Sequence, residues 1–277
     1  MRPSQPDPVL SQDEVGILVN SAMAAPSMHN KQPWGFEIFG PVVDVILDRD
    51  RTLPAEDPAG RFVRIGIGAA TFNLRVAAAM LGYETTFAID PDPARPDIIA
   101  RVFLGELQTP IPPLSNLYGE LRRRHTCREP VMTAEVSPRV LDQVSEAARA
   151  EGADLHWLGA DQRVKLSRIL HEADWIGGDR TGAGIPEIAI LTTTADGPSD
   201  WVRAGMGLQR ALLTATPSDL AVSLLNQAVD YARLRLPAQE LVGHNVWPQL
   251  IIRVGYPADE GGGAPCRHWQ QAVTHWH

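Results

Sequence analysis

The chain has 277 residues, is 44% hydrophobic and carries a formal net charge of −8. That length allows one large domain or two small ones with a substantial core, and the acidic balance argues against nucleic acid or an anionic membrane as partner. No apolar run in the sequence approaches the roughly 20 residues of a membrane span, the first ten residues lack the apolar centre of a secretory signal, and two cysteines, Cys127 and Cys266, are too few for a disulfide framework, so a soluble cytoplasmic protein is expected.

Ser11-Gln12-Asp13-Glu14 reads as a capping box. It predicts a helix with Val15, Leu18, Val19 and Ala22 on one face, ending at Pro26. Next comes Ala25-Pro26-Ser27-Met28-His29-Asn30-Lys31-Gln32-Pro33-Trp34. Pro26 and Pro33 restrict this loop, and Ser27, Asn30 and Gln32 put a hydroxyl and amides on it. An amide offers a donor and an acceptor side by side, which suits the alternating edge of a pyrimidine-like ring. The same residues also fit an ordinary polar turn between a helix and a strand, ahead of a core Trp34.

Val63-Arg64-Ile65-Gly66-Ile67-Gly68 opens a long helix that is apolar nearly all round and should be buried. Its two glycines resemble the start of a dinucleotide fingerprint, but Thr71 stands where the third glycine belongs. They are read as sites of close helix packing. Pro96-Asp97-Ile98-Ile99-Ala100-Arg101-Val102 predicts a buried strand. Pro110-Ile111-Pro112-Pro113 cannot lie inside a helix and marks a boundary.

Beyond it, Arg122-Arg123-Arg124-His125-Thr126-Cys127-Arg128 is a dense cationic segment. Guanidinium forks match phosphate, Thr126 adds a hydroxyl, and His125 can donate from a ring nitrogen. Taken alone, the run also fits a solvated basic face. Ser137-Pro138 starts a helix whose apolar face is Val140, Leu141, Val144 and Ala148. Val202-Arg203-Ala204-Gly205-Met206-Gly207 then repeats 63–68, and Pro248-Gln249-Leu250-Ile251-Ile252-Arg253-Val254 repeats 96–102. Three landmarks in one order point to an internal duplication.

The expected fold is α+β: two sheet-and-helix halves, 1–109 and 110–277, fused as an intramolecular pseudo-dimer around buried central helices. No metal-ligand spacing and no Gly-x-Ser-x-Gly elbow occurs. His156, His171 and His244 are scattered and read as structural. Cys127 and Cys266 each adjoin an arginine and read as incidental small residues.

With these residues in view, Ala-Pro-Ser-x-x-Asn-x-Gln-Pro-Trp resembles the signature of the FMN-dependent nitroreductases, and Arg124-His125-Thr126-x-Arg128 resembles that family's phosphate-binding segment. Ala264-Pro265-Cys266-Arg267 is similar to its C-terminal basic residue. The likeness runs from about Leu10 to Val273. Since the first half keeps the loop and the second half the basic segment, it looks like the single-chain, fused-dimer branch of the mycobacterial Acg type, with one complete site.

The resemblance implies that Arg124, His125, Thr126, Arg128 and Arg267 hold the phosphate and ribityl chain of FMN. Ser27 and Asn30 would contact the isoalloxazine edge, Pro26 and Gln32 would be cofactor-binding residues of the same loop, and Pro217 and Ser218 would lie near the ring. It implies two-electron transfer from NAD(P)H through FMN to a nitro compound, quinone or similar small acceptor, with no catalytic side chain beyond those that hold the flavin. The alternative is a protein that binds and sequesters FMN without NAD(P)H turnover. A fused chain of this kind needs no second copy to complete its site, which is compatible with a monomer. One departure stands out: only a short, Gly-rich stretch separates Trp175 from Pro186, where the branch carries a long segment that can close over the flavin.

Overall fold

A computed structural model of the chain describes residues 10–107, 109–124, 131–132, 136–170, 187–224, 232–257, 270 and 272–276. The chain divides into two compact units, Met1–Arg122 with Pro265–His277, and Arg123–Ala264. The boundary expected at 109/110 is displaced on both sides, for physical reasons. Ile111 N donates to Ala79 O at 3.0 Å and the turn Ser115–Leu117 packs on the same helix, so the proline-rich segment stays with the first unit. The last strand also returns to that unit.

In the first unit, α1 (Gln12–Met23) starts at the predicted capping box. Glu14 N donates to Ser11 Oγ, and Ser11 N donates back to Glu14 Oε2. The other Glu14 oxygen accepts from Tyr83 Oη at 2.7 Å. Helix α2 (Arg61–Leu81) is the buried central helix the sequence predicted. It is long and apolar enough to cross a membrane, contrary to the expectation from the sequence, yet 94% of its most apolar stretch is buried inside the protein. Asp57 fixes its start, accepting from the backbone of Arg61 and Val63 at 2.9 Å each.

Helix α2 packs against α1 and against a sheet of β1 (Trp34–Phe39), β2 (Val42–Leu47), β3 (Tyr83–Ile89) and β4 (Ile98–Leu107), with β10 (Val273–Trp276) beside β1. The order is β10-β1-β2-β4-β3; β10 runs parallel to β1 and the other pairs are antiparallel. Trp34, Phe36, Ile38, Val43, Val45 and Val102 alternate onto one face and are buried. The opposite face carries a charged ladder, Glu37↔Asp44↔Arg101. Glu37 and Asp44 are buried beneath two arginines, with Arg95 bridging Glu37 and Asp97.

The short α3 (Glu120–Arg123) spans the division between the units, and the first strand of the second unit is β5 (Val131–Met132). It continues through α4 (Pro138–Arg149), β6 (Asp154–Trp157), α5 (Ala160–Leu170), β7 (Glu187–Thr193), α6 (Pro198–Ala215), β8 (Ala221–Leu224), α7 (Ala232–Val242) and β9 (Trp247–Pro257). Ser137 precedes α4 as expected, with Pro138 at the first turn, but its side chain makes no capping bond. Strands β6, β7, β9 and β8 are antiparallel neighbours in that order. This matches β1, β2, β4 and β3 of the first unit, while α4 and α6 take the places of α1 and α2. The duplication read from three short landmarks thus extends to strand order.

Helices α5 and α7 have no counterpart in the first unit. They supply Leu158 (from the turn before α5), Leu166, Leu241 and Val242 to a cluster with Ile188, Ile190 and Ile251. Covered this way, the second sheet needs apolar residues where the first has its ladder.

Candidate functional site

Helix α1 stops because Pro26 comes after it, and the chain then makes a tight turn at Met28–Asn30 before entering β1. His29, Asn30 and Gln32 have φ of 48°, 54° and 48°. Left-handed backbone costs a residue with a Cβ about 1–2 kcal/mol; asparagine and histidine are enriched there and glutamine is not. Three such residues within four positions persist only where the surroundings over-determine them, a pattern that concentrates at functional sites.

The surroundings are visible. Asn30 N and Lys31 N donate to the carbonyls of Ser27 and Met28 at 3.0 Å each. Gln32 N donates to Ser27 Oγ at 2.9 Å, and Gln32 Nε2 donates to Met23 O at 2.7 Å. Trp34, fully buried, directs Nε1 at Met23 Sδ, 3.2 Å away. From the other side, the segment after β2 grips the loop. Asp48 N donates to Pro33 O at 3.1 Å, Arg51 Nη1 donates to Lys31 O at 3.3 Å, and His29 Nε2 lies 2.7 Å from Glu56 Oε2.

The structure therefore brings Pro26, Ser27, Asn30 and Gln32 together on one braced loop, with different exposures. Asn30 is exposed, Pro26 and Ser27 are half-buried, and Gln32 is 3% exposed, its amide directed at α1. A small cleft beside Ser27 is lined by Met28, Lys31, Asp57, Phe62 and Val63. No signal in the sequence marked Glu56 or Asp57; their roles depend on a loop folding back.

In the second unit, Arg124 comes directly after α3 and is half-buried, while Arg122 and Arg123 are exposed. Arg123 Nη2 reaches Asp219 Oδ1 at 3.4 Å. Asp219 ends the turn Thr216–Ser218 with φ 53°, so this pair joins the basic segment to the turn carrying Pro217 and Ser218. Arg123 and Asp219 are 96 positions apart in the sequence and neighbours here. Asp219 was missed by sequence reasoning, which had only the adjacent Pro-Ser to go on. His125, Thr126, Arg128 and Arg267 lie outside the described residues, as do Cys127, Cys266, His171 and the stretch from Trp175 to Pro186. Among the described residues, no group of three or more His, Cys, Asp or Glu is arranged to hold a metal ion.

The reading of the glycines as sites of close helix packing fits Gly207, against the end of α4, but at Gly66 the close neighbour is Trp34, the first residue of β1. A Cβ at Gly66 would lie 3.0 Å from Trp34 Cζ3, and one at Gly207 would lie 2.7 Å from Ala153 Cβ. Gly66 thus admits the Trp34 ring, which lies beyond the end of α1, and Gly207 admits Ala153, which lies beyond the end of α4.

No family model matches the chain. It is 24% identical over 301 positions to a Mycobacterium tuberculosis (strain H37Rv) protein named NAD(P)H nitroreductase acg, covering 90% of this chain and 91% of the relative. A second protein of that strain, named NAD(P)H nitroreductase Rv3131, is 24% identical over 316 positions, covering 94% and 91%. Among solved structures, an NADPH:FMN oxidoreductase from Vibrio harveyi complexed with NAD+ matches 55% of this chain and 73% of its own, at 13% identity and a TM-score of 0.43. The chain is thus similar over most of its length to proteins named NAD(P)H nitroreductase, the Acg protein among them, and its duplicated layout is consistent with that branch. Both alignments are longer than the 277 residues of this chain, so each relative has internal residues with no counterpart here.

Proposed function

We propose that this protein is an FMN-binding oxidoreductase that passes two electrons from NAD(P)H to a small acceptor such as a nitro compound or quinone. The observation that carries the reading is the Ala25–Trp34 loop: a family-like sequence held in a left-handed shape by buried bonds, with Asn30 exposed on it. Two relatives of one strain, matched over 90% and 94% of the chain, are named NAD(P)H nitroreductases.

The donor set suits FMN. The exposed amide of Asn30 and the hydroxyl of Ser27 offer the donors and acceptors that the polar edge of an isoalloxazine requires. Arg124, with His125, Thr126, Arg128 and Arg267 of the sequence, offers the forked cationic donors that a phosphate requires. Pro217 and Ser218 stand beside the basic segment through the Arg123–Asp219 pair. When bound, FMN supplies the hydride chemistry, and the residues around it bind, orient and stabilise charge. Donors at the pyrimidine edge favour the form in which negative charge develops there. No side-chain nucleophile is required.

The test is an anaerobic titration of the FMN-reconstituted protein with NADPH and then NADH, tracking the visible flavin band. Bleaching at a useful rate is the expected result. A bound flavin that stays yellow with both but bleaches with dithionite would replace this reading with FMN sequestration. A protein that takes up no FMN would end both.

A further inference from the structure

Gln32 closes the loop into a ring. Its backbone N donates to Ser27 Oγ at 2.9 Å and its Nε2 reaches back to Met23 O at 2.7 Å, in the last turn of α1. The residue is 3% exposed and has φ 48°, a value glutamine rarely adopts. Below it, α2 carries Gly66, where a Cβ would come 3.0 Å from Trp34 Cζ3, 3.5 Å from Pro26 O and 3.8 Å from Ser27 Cβ. Glycine weakens a helix interior relative to alanine. Its presence at 66 is explained by the Trp34 ring resting against the helix backbone; the loop atoms lie at ordinary contact distance.

We propose that Gln32 is a positioning residue and not a ligand contact. Its buried amide, bonded to Met23 O, sets the left-handed backbone on which Ser27 and Asn30 are presented. What the loop is presented to rests on the flavin reading above; the lock itself is a property of the free chain. Its amide is directed at Met23 in the interior, while the exposed amide is that of Asn30. A ligand edge therefore meets Asn30, and Gln32 acts on it only through the backbone.

The experiment uses the full chain and the variants Gln32→Met and Gly66→Ala. A matched control is Gln239→Met in α7, where another buried glutamine amide donates to a backbone carbonyl, Val246 O at 2.8 Å. Amide hydrogen exchange of the peptide spanning 24–34 is measured without FMN, and FMN affinity is measured separately by flavin fluorescence. Gln32→Met is expected to speed exchange at 28–32 and weaken FMN binding on the order of tenfold. Gln239→Met is expected to lower thermal stability comparably while leaving both readouts unchanged. Gly66→Ala is expected to repeat the Gln32→Met pattern and decides the matter if Gln32→Met does not fold. Exchange that stays at the wild-type rate overturns the proposal, whether FMN affinity is unchanged or falls; a fall without loosening would make Gln32 a direct contact. Because exchange is read on the free chain, a wild type that ignores FMN would overturn the flavin reading and leave the lock to be judged on exchange alone.

Discussion

Asp44 and Arg101 face each other across β2 and β4 in a two-pronged ion pair, Nε to Oδ1 at 2.6 Å and Nη2 to Oδ2 at 2.7 Å. The corresponding positions of the second unit are Ile188 and Arg253, also cross-strand partners. The acid is kept where the sheet face carries a ladder and is replaced by isoleucine where α5 and α7 cover it. Asp44 is 1% exposed. Asp44→Ala leaves Arg101 facing a hole and is expected to cost about 3 kcal/mol, at the low end for a broken buried pair because Arg101 keeps some solvent. Replacing both residues with valine and methionine is expected to cost less than the single change. Urea unfolding of the three proteins measures the difference.

Tyr83 and Glu14 predict behaviour in alkali. Burial pushes the Tyr83 phenol up to about 12, and its bond to the Glu14 carboxylate adds to the shift. A raised folded value means the folded state holds its proton more tightly. The contribution to stability is complete below the ordinary tyrosine value of about 10 and is lost as pH rises from there towards 12. Tyr83→Phe is expected to flatten this part of the stability curve and to cost about 1 kcal/mol at neutral pH. Thermal unfolding at pH 8 to 11.5 checks both.

Asp196 predicts behaviour in acid. Burial raises its carboxyl, but hydrogen bonds from Arg235, Trp201 and Gln249 outweigh this, and its pKa lies below the usual carboxylate value. A depressed folded value contributes stability that is present above about pH 4 and lost as pH falls through the folded value. Asp196→Asn is expected to be less stable at neutral pH by about 1–3 kcal/mol and to converge on the wild type in acid. Denaturant midpoints between pH 7 and 2.5 give the comparison.

Gly207 predicts a coupled pair. A Cβ there meets Ala153 Cβ at 2.7 Å and Ala148 O at 3.2 Å. Gly207→Ala is expected to cost about 1–3 kcal/mol through overpacking, and Ala153→Gly in the same chain to recover part of it. Additive effects in a double-mutant cycle would show that the two positions do not share this contact.

Arg124 offers a test of phosphate recognition. Arg124→Ala is expected to weaken FMN binding by about tenfold or more. Riboflavin, which lacks the phosphate, is expected to bind both proteins alike. Equal losses for the two ligands would assign Arg124 some other role.

The elements legible in the sequence were those written in local pattern. The Ser11–Glu14 capping box, the glycine-bearing helices at 61–81 and 198–215 and the apolar strands beginning at Ile98 and Trp247 all appear where spacing placed them. Their order also carried the duplication. What sequence could not carry was distance. Nothing near Val273 says that it will lie beside Phe36, and nothing near Asp219 says that an arginine from the basic segment will reach it. The loop was legible as a motif but not as a conformation. A glutamine amide reads equally well as a ligand's partner or as a clamp on a carbonyl, and only the fold shows Gln32 turned inward to Met23.

The pairing of β10 with β1 has a consequence during synthesis. The first unit is discontinuous: its first four strands leave the ribosome early, and its fifth waits until all of the second unit has been made. Until then the outer edge of β1 lacks the strand that pairs with it among the described residues, and the first unit's sheet is sealed only when β10 appears.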